Sequence, residues 1–412
     1  MQHFFSRLFI GLMLFFFQAP AIAQPEAIKQ RITAFNGAFA ARTDSVLKPY
    51  LAEDFSVAAY MGTAATECLN TVLKSYRLDS LSYQHAQRQG TEWVVNVIIH
   101  GAEKETGNIY LNEQLQLLRF DLADRLYGMN RGAAAREVAV IPFEERNGSI
   151  IITVTINESK RPLRLPFDTG ADGKMSDKSL ADSIGLRISH SKQAAVVGGN
   201  INIEVSGNNN VHLNGFTVDR QSIAVFNKPV DGTDGIIGNA ITRRYITQVN
   251  YSRKEIILYS FGQFTLKSNE QVIPVDVTTG NIRMSAILNM HKDKPLKAWF
   301  ILDTGADYEL IVFRPFVLKH KLLVDNFQVD STGSTVSLGV NSPVFFGKAD
   351  LLQILPAINI SHFPVALMGS VDRTSAGRQG VDGSLGIKFI SRYNFTINLM
   401  DKYVALSNRG VE

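Results

Sequence analysis

Two identical five-residue strings stand out in this chain, Asp168-Thr169-Gly170-Ala171-Asp172 and Asp303-Thr304-Gly305-Ala306-Asp307, 135 residues apart (303 − 168). Each follows an apolar run, Leu165-Pro166-Phe167 in the first and Phe300-Ile301-Leu302 in the second. An Asp at the end of an apolar strand is held where water is scarce, while the Thr and Gly after it allow a tight turn and close approach by another segment. If two such turns pack about a pseudo-twofold axis, Asp168 and Asp303 can meet across it. Two carboxylates about 3 Å apart, at an effective dielectric of about 20, repel by roughly 5 kcal/mol, equivalent to about 4 pKa units. One then keeps a proton while the other ionises, which gives a general acid and a general base on a shared water.

The strings belong to a longer repetition. Val140-Ile141-Pro142-Phe143 and Asn147-Gly148-Ser149-Ile150 precede the first, and Val272-Ile273-Pro274-Val275 and Thr279-Gly280-Asn281-Ile282 precede the second. Asp234-Gly235-Ile236-Ile237-Gly238 with Val249-Asn250-Tyr251 closes one copy; Asp382-Gly383-Ser384-Leu385-Gly386 with Ile397-Asn398-Leu399 closes the other. A single Asp-Thr-Gly arises by accident in roughly one chain of this length in fifteen. Two extended copies with matched flanks make chance negligible, so the second half of the chain reads as an internal duplication.

The elements that must position these acids read as short strands. In the first copy, apolar runs cover Ile150 to Ile156, Ile201 to Val205, Val211 to Leu213 and Ile223 to Phe226. Turn residues stand at Gly198-Gly199-Asn200, Gly207-Asn208-Asn209-Asn210 and Asn214-Gly215. A short capped helix is expected over Ser176 to Ile184, ending at Gly185. Before the repeats, Ala27, Ile28, Ile32, Phe35 and Phe39 have helical spacing, and a second helix is expected over Glu67 to Tyr76. Strands are expected at Ser80 to Gln87, Glu92 to Ile99 and Gln114 to Phe120, with Gly90 and Gly107 near turns. Helices followed by a strand set indicate an α+β domain.

The 412 residues exceed a single small module, and 42 Lys+Arg against 38 Asp+Glu give a net charge of only +4, which carries no nucleic-acid signal. The single Cys68 excludes an intrachain disulfide and any Cys-rich metal site, and reads as a small buried hydrophobe. At the N-terminus, Arg7, the apolar run Leu8 to Phe17 and the small-x-small Ala21-Ile22-Ala23 form a cleavable export signal, with the mature chain starting at Gln24. The apolar run is too short to span a bilayer, so export to the periplasm or medium without a membrane anchor is expected. With no disulfide, stability in that oxidising setting has to come from core burial.

The Asp-Thr-Gly-Ala-Asp motifs, and Gly235-Ile236-Ile237-Gly238-Asn239-Ala240-Ile241-Thr242 downstream, resemble the retropepsin-type aspartic proteases, and their tandem arrangement resembles the single-chain, pepsin-like version. The resemblance spans Val138 to Ser407. It implies two β-rich lobes, peptide-bond hydrolysis by Asp168 and Asp303, no metal or organic cofactor, and an extended peptide or unfolded protein as substrate. It further implies that Thr169 and Thr304 brace the loops across the axis and that Gly170 and Gly305 donate N–H groups toward the carboxylates. Gly198 and Gly199 fall where the family keeps a mobile flap, with Ser331-Thr332-Gly333-Ser334 as the counterpart in the second lobe. Asp172 and Asp307 are candidate substrate contacts or turn-capping carboxylates. Two departures stand out. Ala171 and Ala306 replace a hydroxyl that bonds the carboxylate in pepsin-like members, so a mildly acidic to neutral optimum is expected. Asn239 and Ile387 stand where retroviral members carry an Arg, with Lys388 one place further on.

The segment Phe35-Asn36-Gly37-Ala38-Phe39-Ala40-Ala41-Arg42 through Leu51-Ala52-Glu53-Asp54-Phe55 resembles the cone-shaped nuclear transport factor 2-like family, whose members include enzymes, ligand binders and assembly modules. His85 and His100 have no fixed-spacing partners and are read as packed or solvated. The expected architecture is therefore multidomain: a leader over 1–23, an α+β domain over 24–132, and a mainly β, bilobal aspartic-protease fold with lobes over 138–265 and 270–408. Because both lobes lie in one chain, a monomer suffices to build the site. The leading function is an exported aspartic endopeptidase. Its alternatives are a catalytically silent peptide-binding or assembly protein on the same fold, and a small-molecule pocket in the N-terminal domain.

Overall fold

A computed structural model describes residues 23–412 except 172–173, 176, 197–198, 227–232, 279, 291–293, 325–326, 338–339, 355–357, 370–379 and 411–412. Residues 1–22 of the expected leader, together with Asp172 and Gly198, thus lie outside the described residues, while Ala23, its last residue, opens the first helix. The described chain is mostly β with few helices, in two compact units: Met1–Ala52 with Leu73–Leu118, and Glu53–Val72 with Arg119–Glu412. Among the described residues no helix is long and apolar enough to cross a membrane.

In the first unit, the helix Ala23–Ala41 buries Ile28, Ile32, Phe35, Ala38 and Phe39, the stripe set by three- and four-residue spacing. It lies along the strand Leu78–Gln89, where the Asn36 amide accepts from the Leu81 N–H at 2.7 Å and donates to the Leu81 carbonyl at 3.0 Å. That strand pairs antiparallel with Glu92–Gly101, which pairs with Lys104–Leu111. Gly107 was expected near a turn and instead sits inside Lys104–Leu111, opposite Val97. A Cβ there would come within 2.9 Å of Ile99 Cδ1, so glycine serves packing at this position and not a turn. Gly90 does occupy a turn, with φ +60°.

In the second unit, the strand orders of the two repeats correspond one to one. The first runs His190–Val196, Gly199–Leu213, Phe216–Val225, Lys174–Met175, Gly235–Gly238, Leu163–Asp168, Ser149–Ile156, Glu144–Arg146. The second runs Ser331–Ser337, Val340–Ile354, Ile358–Met368, Leu310–Val312, Gly383–Leu385, Pro295–Leu302, Arg283–Asn289, Gln271–Asp276. In each, the long second strand also pairs with the seventh, so the sheet folds back on itself. The second sheet continues through Tyr403–Asn408 and Tyr393–Asn398 to Tyr245–Asn250 and Glu255–Gln263, joining the ends of the two copies by pairs such as Val249 with Phe395. One apolar cluster draws Phe167, Val249 and Phe261 from the first copy together with Phe300, Phe389 and Phe395 from the second. The expected helix is present at Lys178–Ser183, where the Asp177 carboxylate accepts the Leu180 N–H and Gly185 follows at φ +72°.

The expected turn at Gly207 to Asn210 is not a turn. The strand Gly199–Leu213 runs through it with register shifts, and Asn209 is buried, donating to the Ser206 and Gln221 carbonyls and accepting from the Asn157 amide. Asn side chains that supply their own backbone partners let a bulge replace a turn.

Residues Glu53–Val72 join this second unit. The short hairpin Ser56–Val57 with Tyr60–Met61 buries Ala58, Ala59 and Met61 in the same apolar cluster as the repeats. The Ala58 N–H donates to Asp124 at 2.6 Å, and Arg131 pairs with the other Asp124 oxygen at 3.0 Å. Burial pushes the Asp124 carboxyl up, against the pull of Arg131 and of the Ala58 N–H. Tyr60 meets Tyr127 edge-on at 5.6 Å and lies under the Arg243 guanidinium.

Candidate active site

Each Asp sits where a strand ends beside a parallel neighbour. Leu163–Asp168 runs parallel to Gly235–Gly238, with Asp168 opposite Gly238. Pro295–Leu302 runs parallel to Gly383–Leu385, and the Asp303 N–H donates to the Leu385 carbonyl at 2.9 Å. Before the first motif Leu163, Leu165 and Phe167 are buried in alternation, and before the second Phe300, Ile301 and Leu302 are all buried, which accounts for the apolar runs. The turns then close identically. Ala171 N–H reaches back to the Asp168 carbonyl and Ala306 N–H to the Asp303 carbonyl, both at 3.3 Å. Gly170 N–H donates to Asp168 Oδ1 at 2.8 Å, and Gly305 N–H to Asp303 Oδ1 at 3.2 Å.

The two turns grip each other. Thr169 Oγ1 donates to the Leu302 carbonyl at 2.6 Å and accepts the Thr304 N–H at 3.1 Å. Reciprocally, Thr304 Oγ1 donates to the Phe167 carbonyl at 2.6 Å and accepts the Thr169 N–H at 3.0 Å. Both threonines are fully buried, so these four bonds satisfy backbone groups that water cannot reach. Each carboxyl group lies against the glycine of the opposite motif. A Cβ on Gly170 would fall 2.6 Å from Asp303 Cγ, and a Cβ on Gly305 would overlap the Asp168 carboxyl group. The two acids, both threonines and both glycines are therefore gathered at one place.

The lower rim differs between copies. Asn239 N–H donates to the Ala171 carbonyl at 2.7 Å, its side-chain amide holds the Thr169 carbonyl, and Thr242 Oγ1 bonds Asn239 in turn. In the second copy Ile387 N–H makes the matching bond to the Ala306 carbonyl at 2.8 Å, with no amide side chain. Asp307 is exposed and pairs with Lys388 at 3.4 Å. Asn239 was noted from sequence only as a departure from the family pattern, without the bracing role seen here, and Tyr308 was not singled out. The only signal for Asn239 was its place directly after Asp-Gly-Ile-Ile-Gly, and for Tyr308 its place directly after the second motif.

Residues 152–241 match the aspartyl protease family. The match contains the first motif and its downstream Gly-Ile-Ile-Gly. Among solved structures, the aspartic proteinase from Irpex lacteus is similar over 67% of this chain and 98% of its own, at 14% identity and a TM-score of 0.43. No curated protein matches the chain.

Of the other predicted positions, Gly199 opens the strand Gly199–Leu213, which pairs with His190–Val196 as a hairpin. Ser331-Thr332-Gly333-Ser334 falls in one arm of the corresponding hairpin of the second repeat, paired with Pro343 to Phe346, and not at its bend. An open depression of about 490 Å³ on the first repeat is lined by Phe143, Thr153, Arg164 and His212, and by neither motif. His212 there is bonded to Thr217 and to the Asn157 carbonyl. Among the described residues no three or more His, Cys, Asp or Glu side chains gather as a metal site. His100 bonds Ser82 at 2.9 Å in the first unit.

Proposed function

We propose that this chain is an exported aspartic endopeptidase, periplasmic or secreted, that hydrolyses peptide bonds in extended peptides or unfolded proteins with a water activated between Asp168 and Asp303. The observation that carries this reading is the reciprocal seating of each carboxyl group on the glycine of the opposite motif, held by the four threonine bonds. In this arrangement the ionised Asp removes a proton from water, and the hydroxide attacks the scissile carbonyl carbon. The protonated Asp hydrogen-bonds the carbonyl oxygen as charge develops on it. The tetrahedral intermediate then collapses as a proton passes to the leaving nitrogen. Gly170 and Gly305 N–H groups favour the ionised form of whichever carboxylate carries the charge.

The matching strand orders of the two repeats support a bilobal, duplicated catalytic unit, and one chain supplies both acids, so a monomer is sufficient. Asp307, tied to Lys388 at the surface, is proposed as a substrate contact at the edge of the site; Asp172, Gly198 and Gly199 keep the equivalent roles in the first lobe. Ala171 and Ala306 offer no hydroxyl to the carboxylates, so the pH–rate profile is expected to peak between mildly acidic and neutral pH.

The test is cleavage of an unstructured peptide by the purified mature chain. Asp168→Asn and Asp303→Asn should each lower kcat by at least about 1,000-fold, as expected when general acid–base chemistry is removed, without changing the thermal midpoint much. Either variant retaining full activity would defeat the dyad. A wild-type chain that binds such peptides without cutting them would favour the silent peptide-binding alternative.

A further inference from the structure

The geometry points to Tyr308 as a positioning residue that ties the hairpin Ser331–Ser337 with Val340–Ile354 to the loop carrying Asp303, making that hairpin a fixed wall beside the reacting carboxylates. This rests on the proteolytic reading of the site. Tyr308 follows the second motif directly, and its hydroxyl lies 2.9 Å from Thr335 Oγ1 on the hairpin. Thr335 is 8% exposed and sits opposite Ser342, which is 7% exposed, so the bond is made where water competes poorly. The Tyr308 backbone is fixed as well: its N–H donates to the Ala306 carbonyl at 3.0 Å, and its carbonyl accepts the Lys388 N–H at 3.1 Å.

The ring completes the anchorage. It packs, with Phe346 of the hairpin, on a buried patch that includes Ile301, Ile311, Phe313, Val344 and Met368. Burial raises the Tyr308 pKa above the ordinary phenol value, and the nearby Asp303 and Asp307 carboxylates push it the same way against the Thr335 bond. The phenol therefore stays protonated throughout the working range and can always pair with Thr335. In sequence the fifth position after Asp168 is Gly173, which lacks a side chain, whereas the fifth after Asp303 is Tyr308. The two repeats differ in sequence at this point. A substrate strand would be laid against a second-repeat wall already in place, and the adjustment that admits it would fall to other parts of the site.

The experiment uses the full mature chain and the variants Tyr308→Phe, Thr335→Val, their combination, and Thr335→Ser. Two readouts are taken: kinetics on an unstructured peptide and amide exchange across residues 331–337. A lost tether should raise KM about fivefold, the effect of one hydrogen bond, with kcat within about twofold of wild type and faster exchange in the hairpin arm. The double variant should be no worse than either single one, and Thr335→Ser should restore both readouts. Unchanged exchange, or additive effects of the two single variants, would overturn the tether. A wild-type chain without peptidase activity would remove the functional reading, and the exchange measurement would still decide whether Tyr308 holds the hairpin.

Discussion

At Gly170 and Gly305 a single hydrogen atom separates the backbone of one motif from the carboxyl group of the other. Gly170→Ala would place a methyl group 2.6 Å from Asp303 Cγ, closer than real Cβ contacts come, and the carboxyl group would have to move. Misplacing a reacting group by about 1 Å costs on the order of 100-fold in rate. A kcat loss of about that size is expected for Gly170→Ala, measured beside a circular dichroism spectrum that stays native. The threonines behave differently. Thr304→Val keeps the shape but strands the Phe167 carbonyl and the Thr169 N–H, each costing about 1 to 3 kcal/mol when buried unpaired. Thr304→Ser retains the hydroxyl and should lose much less. Urea titrations of the two variants should therefore separate by about 2 kcal/mol or more. The residue types at these positions were legible from the motif; that each glycine faces the opposite carboxyl group was not, because the contacts join residues 133 (303 − 170) and 137 (305 − 168) positions apart in the chain.

At the scale of elements, a local polar clamp holds the connection between the first two strands of the second repeat. Asp276, at the end of Gln271–Asp276, pairs with Arg283 at the start of the next strand at 2.8 Å and accepts from the Thr278 hydroxyl. Arg283 also donates to the Gly380 carbonyl and lies over the Trp299 ring. Burial raises the Asp276 carboxyl, but the Thr278 hydroxyl and Arg283 outweigh it and hold the pKa below the ordinary value. The native state thus binds this proton less readily than the unfolded chain. The contribution of Asp276 to stability is present above the ordinary carboxylate pKa and is lost as pH falls through the lowered native value. Asp276→Asn should flatten that part of the acid limb, as read from denaturation midpoints between about pH 2 and 5 against wild type. Helix and strand positions were mostly readable from periodicity. The exceptions, Gly107 and the Gly207 to Asn210 stretch, are places where turn-forming residues serve a close approach and a bulge, and tertiary neighbours decide between those uses.

At the scale of the molecule, the stretch before the repeats is divided between the two compact units, since Glu53–Val72 folds with the repeats. Its hairpin places Ala58, Ala59 and Met61 in the apolar cluster that also holds Met129 and the core of both copies. A chain beginning at Glu137 should therefore lose more than a dispensable module. Removing a buried Met side chain alone costs roughly 2 to 5 kcal/mol, so such a truncation is expected to lower Tm by roughly 10 °C or to aggregate. A truncated chain with native Tm would show that the hairpin is peripheral to the core.

The sequence alone determined the chemistry on offer: two acids in matched turns, each after an apolar strand, repeated too fully for chance. Those signals are local in the chain, and composition with period carries them. The tertiary structure alone decided which carboxyl group rests on which glycine, that Asn239 supports only the first turn, that Lys388 is the partner of Asp307, and that Tyr308 reaches the second hairpin. These are contacts between segments far apart in sequence, set by sheet register and close packing, and no residue pattern specifies them until the strands are paired.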